Sequence, residues 1–122
     1  MKIKLEKGFA KILGHVPAKS NQYRIARGRM YKSNEVKDYE QSFARQLLIF
    51  HRNDPKIKGK FKIEIVVFFR TMAADLDNSL KTTLDCLQSC EWIQNDNKCM
   101  EIFAMKFIDK ENPRIEFKLI EL

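Results

Sequence analysis

Lys60-Phe-Lys-Ile-Glu-Ile-Val-Val-Phe-Phe-Arg70 is the stretch on which the fold turns, and Thr71-Met-Ala-Ala-Asp75-Leu-Asp-Asn-Ser-Leu-Lys81-Thr-Thr-Leu-Asp85 follows it at once. Phe61, Ile63, Ile65, Val67 and Phe69 alternate against Lys62 and Glu64, and Val66 and Phe68 then make the segment apolar on both faces. A segment of period two that becomes apolar throughout predicts a central strand. Beyond it the period lengthens. Leu80, Leu84 and Leu87 predict the buried stripe of a helix, while Asp77, Lys81 and Asp85 share another face at i, i+4 and i+8. The acids therefore stand where a strand hands over to a helix, and ligand sites favour strand ends.

Upstream, the apolar run Phe9–Leu13 predicts a strand stopped by Gly14-His-Val-Pro17, because proline cannot continue a ladder; residues 2–6 extend it on the same reading. Lys19 to Lys32 contains five bases, no acid and Tyr23 and Tyr31, with Gly28 placed to reverse the chain, and predicts a basic loop or irregular hairpin. Ser33 or Asn34 caps a helix whose stripe is Val36, Tyr39, Phe43, Leu47 and Phe50, ended by Asn53-Asp-Pro55. Downstream, residues 101–108 and 114–120 alternate as two further strands joined at Asn112-Pro113. The fold class is α/β of the α+β type, a small mixed sheet of four or five strands with two main helices. The 122 residues suit a single domain, 1–122.

The formal net charge of +7 predicts attraction to a polyanion, and its distribution says more. Residues 1–70 hold 17 Lys and Arg against 6 Asp and Glu, a balance of +11, whereas residues 71–122 hold 6 against 10, a balance of −4. A basic half suits a phosphate backbone and an acidic half suits a divalent cation, although a solubilising surface can be asymmetric too. Cys86, Cys90 and Cys99 form no CxxC pair and lie far from His15 and His51, which argues against zinc. The unpatterned cysteines, with no signal peptide, point to a reducing cytoplasm. No apolar run approaches the length that crosses a membrane.

Magnesium takes oxygen ligands and keeps several waters, so a few converging carboxylates suffice. Asp75 and Asp77 are the first two candidates. Asp96, in the polar loop Gln94-Asn95-Asp96-Asn97, supplies a third if that loop folds back toward the helix start. The competing reading is structural: Asp is a preferred N-cap, and Asp77 with Lys81 makes a well-oriented ion pair. Lys81 is either that partner or a cation that steadies charge on a phosphate. Lys19, Arg24, Arg27, Arg29 and Lys32 are the candidate DNA-binding bases, with a solvated loop as the alternative.

Asp75-x-Asp77-Asn78-x-x-Lys81-x-x-x-Asp85-x-Leu87, followed by Asp96 and by Lys106 in a strand, resembles the RusA family of Holliday junction resolvases. Gly14-x-x-Pro17, a basic stretch, Gly28-Arg29-x-Tyr31-x-Ser33 and Tyr39 in a helix are similar to that family's start, so the resemblance spans residues 9–120. It implies a homodimeric, magnesium-dependent endodeoxyribonuclease, bacterial or phage-encoded, that binds four-way DNA junctions in recombination and repair and cuts two strands symmetrically. It carries metal binding onto Asp75, Asp77 and Asp96, and a catalytic role onto Lys81; manganese is the alternative metal.

Many family members have two consecutive acids where this chain has Asn95-Asp96. If Asp96 is the ligand, Asn95 can serve as its hydrogen-bonding neighbour. If the ligand position is that of Asn95, junctions are bound without being cut. Two other functions stay open at this point: a non-catalytic DNA-binding module, and a nuclease for flaps, forks or RNA.

Overall fold

The computed structural model describes residues 9–17, 34–51 and 56–122 in full and the backbone of residues 23–26 and 29–32. In chain order the elements are β1 (Ala10–Leu13), β2 (Tyr23–Ala26), β3 (Arg29–Lys32), α1 (Asn34–Phe50), β4 (Phe61–Phe69), α2 (Leu76–Ser89), β5 (Cys99–Ile108) and β6 (Arg114–Glu121). Four strands form one sheet in the order β1-β6-β4-β5, and β2 with β3 forms a separate two-stranded hairpin. The pairing of β4 with β5 is parallel, and the β4–β6 and β1–β6 pairings are antiparallel. The sheet is thus mixed, with two main helices, as the sequence predicts.

Parallel neighbours need a crossover, and α2 is that crossover: strand, helix and strand run consecutively from Phe61 to Ile108. β4 is an interior strand for the reason its pattern suggested. Phe61, Ile63, Ile65, Val67 and Phe69 enter the main core, where α1 contributes Tyr39, Phe43 and Leu47 and α2 contributes Cys86 and Leu87. Phe43 stacks on Phe117 of β6 with centroids 6.3 Å apart, and Trp92 meets the same ring edge-on at 6.4 Å. These aromatic contacts join helix, loop and sheet in one core.

On the opposite sheet face the register aligns Val66 with Met105 and Phe68 with Phe107. Phe68 is buried there because Phe107 stacks beside it at 6.0 Å and the Arg114 guanidinium lies 3.7 Å from its ring centroid. Toward the edges this face is open, and Leu13, Phe103 and Met105 are exposed.

Two stripe assignments need correction. Phe50, the last residue of the helix, is 69% exposed and so lies outside the buried stripe. In α2 the buried positions are Ser79, Thr82, Thr83, Cys86 and Leu87, while Leu80 and Leu84 are only partly buried against the core. The helix is rotated so that its small side chains face inward. Hydroxyls can enter because each donates to the helix's own backbone: Thr83 Oγ1 to the Ser79 carbonyl at 2.9 Å, and Ser79 Oγ to that of Leu76. The proposed strand at residues 2–6 lies outside the described residues.

Candidate active site

β4 ends at Phe69 and α2 begins at Leu76, so only the segment 70–75 separates them. Lys106 holds that segment from β5. The parallel register puts Lys106 opposite Val67, on the helix-covered side. From there Nζ donates to the Met72 carbonyl at 2.8 Å and to the Ala74 carbonyl, and lies 5.6 Å from the Phe69 ring centroid. Buried or bent backbone carbonyls need donors, and a lysine reaching across supplies both. The start of α2 is thereby fixed relative to the sheet.

Asp75 occupies the N-cap with extended backbone, φ −91° and ψ 128°, yet its side chain makes no capping hydrogen bond. Its Oδ2 instead accepts from Asn78 Nδ2 at 3.2 Å. The simple capping account therefore fails for Asp75. Asp77 follows in the first turn, exposed, where the helix dipole favours its charge.

Lys81 does not turn back to Asp77. Its Nζ sits 3.0 Å from Asp85 Oδ1 and 3.0 Å from Asp96 Oδ2, so one ammonium bridges two carboxylates. A lysine has three donors, and bridging uses two of them where pairing with Asp77 would use one. Hydrogen bonding to Asp85, and then to Asp96, raises the Lys81 pKa and keeps the ammonium charged. With the side chain 55% exposed, these pairs orient the groups more than they stabilise the fold.

The 94–97 loop folds back onto α2 as a short 3-10 turn, Asp96–Lys98. Asn95 Oδ1 accepts the Asn97 N–H at 2.9 Å and caps that turn. The Asp96 N–H donates to Gln88 Oε1 at 2.9 Å, which ties the loop to the helix. Asn95 is thus spent on its own loop, and of the two neighbours Asp96 is the one whose carboxylate reaches α2. Gln88 and the anchoring bonds of Lys106 went unread in the sequence, because both are fixed by tertiary pairing.

Asp96 is brought to Lys81 and Asp85, about one to three turns along from Asp75 and Asp77. Among the described residues no three His, Cys, Asp or Glu side chains are gathered closely enough to form a ready-made metal centre. The donor chemistry suits a hard divalent cation, since Asp75, Asp77 and Asp96 offer carboxylate oxygens with no thiolate or imidazole among them, but the loop brings Asp96 to the middle of α2 and not to its start. None of the three cysteines is in a disulfide; Cys86 is buried and Cys90 and Cys99 are half-buried. Burial, the largest cause in each case, raises the Cys90 and Cys99 thiols above their ordinary pKa.

Beside Asp75 lies a cleft of about 240 Å³ whose lining includes His15, Phe69, Ala73, Ala74 and Asn78. Burial, with Arg70 adding to it, lowers the His15 pKa against the opposing pull of Glu35. Of the proposed DNA-binding residues, Arg24 lies in β2, opposite Tyr31, and Arg29 and Lys32 lie in β3, opposite Ala26 and Tyr23. The irregular basic hairpin is therefore a regular antiparallel one over these positions. Lys19 and Arg27 lie outside the described residues.

The profile of the family described as endodeoxyribonuclease RusA matches residues 14–120, from the turn after β1 almost to the end of β6. The chain belongs to the RusA endodeoxyribonuclease family. No curated protein sequence matches closely enough to add to that assignment. As a RusA endodeoxyribonuclease it is a Holliday junction resolving nuclease, and four-way junction DNA is the substrate the family implies. RusA nucleases are generally metal-dependent. Among the described residues no helix is long and apolar enough to cross a membrane.

Proposed function

We propose that Asp75, Asp77 and Asp96 hold magnesium, with manganese able to replace it, and that Lys81 contacts the phosphate cut by this RusA nuclease. The observation that carries this reading is Asp96 itself. A residue from a separate loop is drawn onto α2 by Lys81 and by the side chain of Gln88, beside a helix whose N-cap carboxylate is not used for capping.

Bound there, the ion supplies Lewis-acid polarisation and an acidified water, which suits phosphodiester hydrolysis. The protein's own contribution is positional. Lys106 fixes the strand-to-helix turn, Asn78 orients Asp75, and Gln88 holds the Asp96 backbone. Lys81 offers a third donor beyond the two used by Asp85 and Asp96, directed where negative charge grows as the phosphate is attacked. Asp96 accepts from Lys81 through Oδ2, which leaves Oδ1 as its oxygen donor.

The basic hairpin with Arg24, Arg29 and Lys32, together with Lys19 and Arg27, tracks the phosphates of the junction arms. A homodimer supplies the second active centre, because paired incisions need two equivalent sites and two-fold symmetry provides them. The open sheet face supports this assembly: Phe103, 60% exposed, and Met105 lie two residues apart on the same face of the edge strand β5.

The test is cleavage of a synthetic four-way junction in magnesium by wild type and by Asp77→Asn. Wild type nicks two opposed strands, and the variant binds the junction but loses cutting by at least about 100-fold. Equal cutting by the variant, or faster cutting of linear duplex than of junction, overturns the reading.

A further inference from the structure

Gly14 has φ +112°, a backbone conformation that strains any side chain, and its N–H donates to the Pro113 carbonyl at 3.0 Å. Two residues later Val16 is buried in the core. The residue between these anchors cannot wander. It is His15, and its ring meets Phe69 edge-on with centroids 5.9 Å apart, at the end of β4 from which the acidic segment departs.

His15 thus forms one part of the cleft whose lining also includes Asp75 and Asn78. Ala73 and Ala74 take up little of that space, and the volume of about 240 Å³ admits a phosphodiester group. The Asn78 amide is already engaged with Asp75, and among the described residues the ring nitrogens of His15 make no hydrogen bond. A phosphodiester entering a cleft walled by a carboxylate needs donors on the other side. Here the His15 imidazole, in the cleft lining opposite that acid's segment, is such a donor.

We propose that His15 is a substrate-contact residue, donating a ring N–H to a non-bridging oxygen of the phosphodiester that occupies the cleft beside Asp75. The inference rests on the assignment of Asp75 and Asp77 as the catalytic acids. The imidazole keeps one N–H whether or not it carries a proton on its second nitrogen, so the contact works as a hydrogen bond and not only as a charge. Fixed by Gly14 and Val16, the ring is oriented before DNA arrives, and little ordering remains to be done on binding.

Single-turnover cleavage of a synthetic four-way junction by His15→Leu and His15→Gln, each beside Asp77→Asn, tests this. Leucine keeps the apolar contact with Phe69 and removes the N–H; glutamine restores a donor. His15→Leu is expected to cut about tenfold more slowly than wild type at saturating enzyme, and His15→Gln to regain most of the rate, with melting temperatures near wild type. If His15→Leu cuts within twofold of wild type, or both variants fall equally, His15 only packs against Phe69 and the proposal fails. If Asp77→Asn also cuts like wild type, the acidic site falls and the His15 contact with it. A dead Asp77→Asn beside a fully active His15→Leu removes His15 alone.

Discussion

The two helices pack on one sheet, yet they bury opposite kinds of side chain. α1 turns Val36, Tyr39, Phe43 and Leu47 inward, whereas α2 turns in Ser79, Thr82, Thr83, Cys86 and Leu87. Large apolar groups bind α1 by area; small hydroxyl groups leave α2 with less area to bury. Besides Cys86 and Leu87 in the core, α2 is oriented by polar ties: Lys106 to the preceding turn, Lys81 to Asp96, and Gln88 to the Asp96 N–H. One helix supplies the fold's cohesion, and the other carries Asp77 and Lys81, the residues proposed for the chemistry. An element positioned by directional bonds presents its carboxylates at defined places, which apolar packing alone does not ensure.

The largest effect should come from breaking the α1 side. Phe43 is fully buried, stacks on Phe117 and meets Tyr39 edge-on at 6.0 Å. Phe43→Ala should cost about 3–5 kcal/mol in urea unfolding, a large part of a domain's stability. A loss under about 1 kcal/mol would mean that α1 is not the cohesive helix.

On α2 the balance should invert. Lys81→Met keeps the length of the side chain and removes the ammonium that bridges Asp85 and Asp96. Junction cleavage should fall about 100-fold, while the unfolding free energy changes by less than about 1 kcal/mol because the pairs are exposed. Comparable losses of stability and activity would erase the distinction between the helices.

The sequence disclosed α1 almost entirely and α2 only in part. The stripe from Val36 to Leu47 has large apolar residues at helical spacing, and only Phe50, the last helical residue, departs. In α2 the leucine spacing predicts the buried stripe, and Leu87 is fully buried, but Leu80 and Leu84 are only partly so while Ser79 and Thr83 are buried with their hydroxyls satisfied by the preceding turn. Hydropathy cannot register a polar group paired with its own backbone. The site divides in the same way. The grouping of Asp75, Asp77 and Lys81, the proposed acids and cation, is legible because they are local to the start of one helix. His15, Gln88 and the Lys106 anchor depend on which strand lies beside which, and no periodicity encodes that.

A smaller effect separates packing from polarity within α1 itself. Tyr39 Oη is buried without a hydrogen-bond partner among the described residues, and burial raises its pKa far above the ordinary value. Tyr39→Phe keeps the ring against Phe43 and removes an unsatisfied hydroxyl. Stability should be unchanged or rise by up to about 1 kcal/mol, measured by urea unfolding. A loss above that range would show that the hydroxyl has a partner and that α1, like α2, depends on polar ties.

The smallest effect lies where neither helix reaches and provides the baseline for both. Arg114 Nη1 donates to Asp109 Oδ2 at 2.9 Å across the turn before β6, and the Asn112 N–H donates to Asp109 Oδ1 at 3.1 Å. These bonds, that of Arg114 first, lower the Asp109 pKa in the folded chain. A carboxyl whose folded pKa is depressed stabilises the fold above its unfolded pKa of about 4, and that contribution is lost as pH falls through the lower folded value. Asp109→Asn should therefore melt slightly below wild type at pH 7, and the difference should shrink on acidification below about pH 4. A difference that stays constant down to pH 2 would locate the effect in turn geometry, not in the carboxylate's charge.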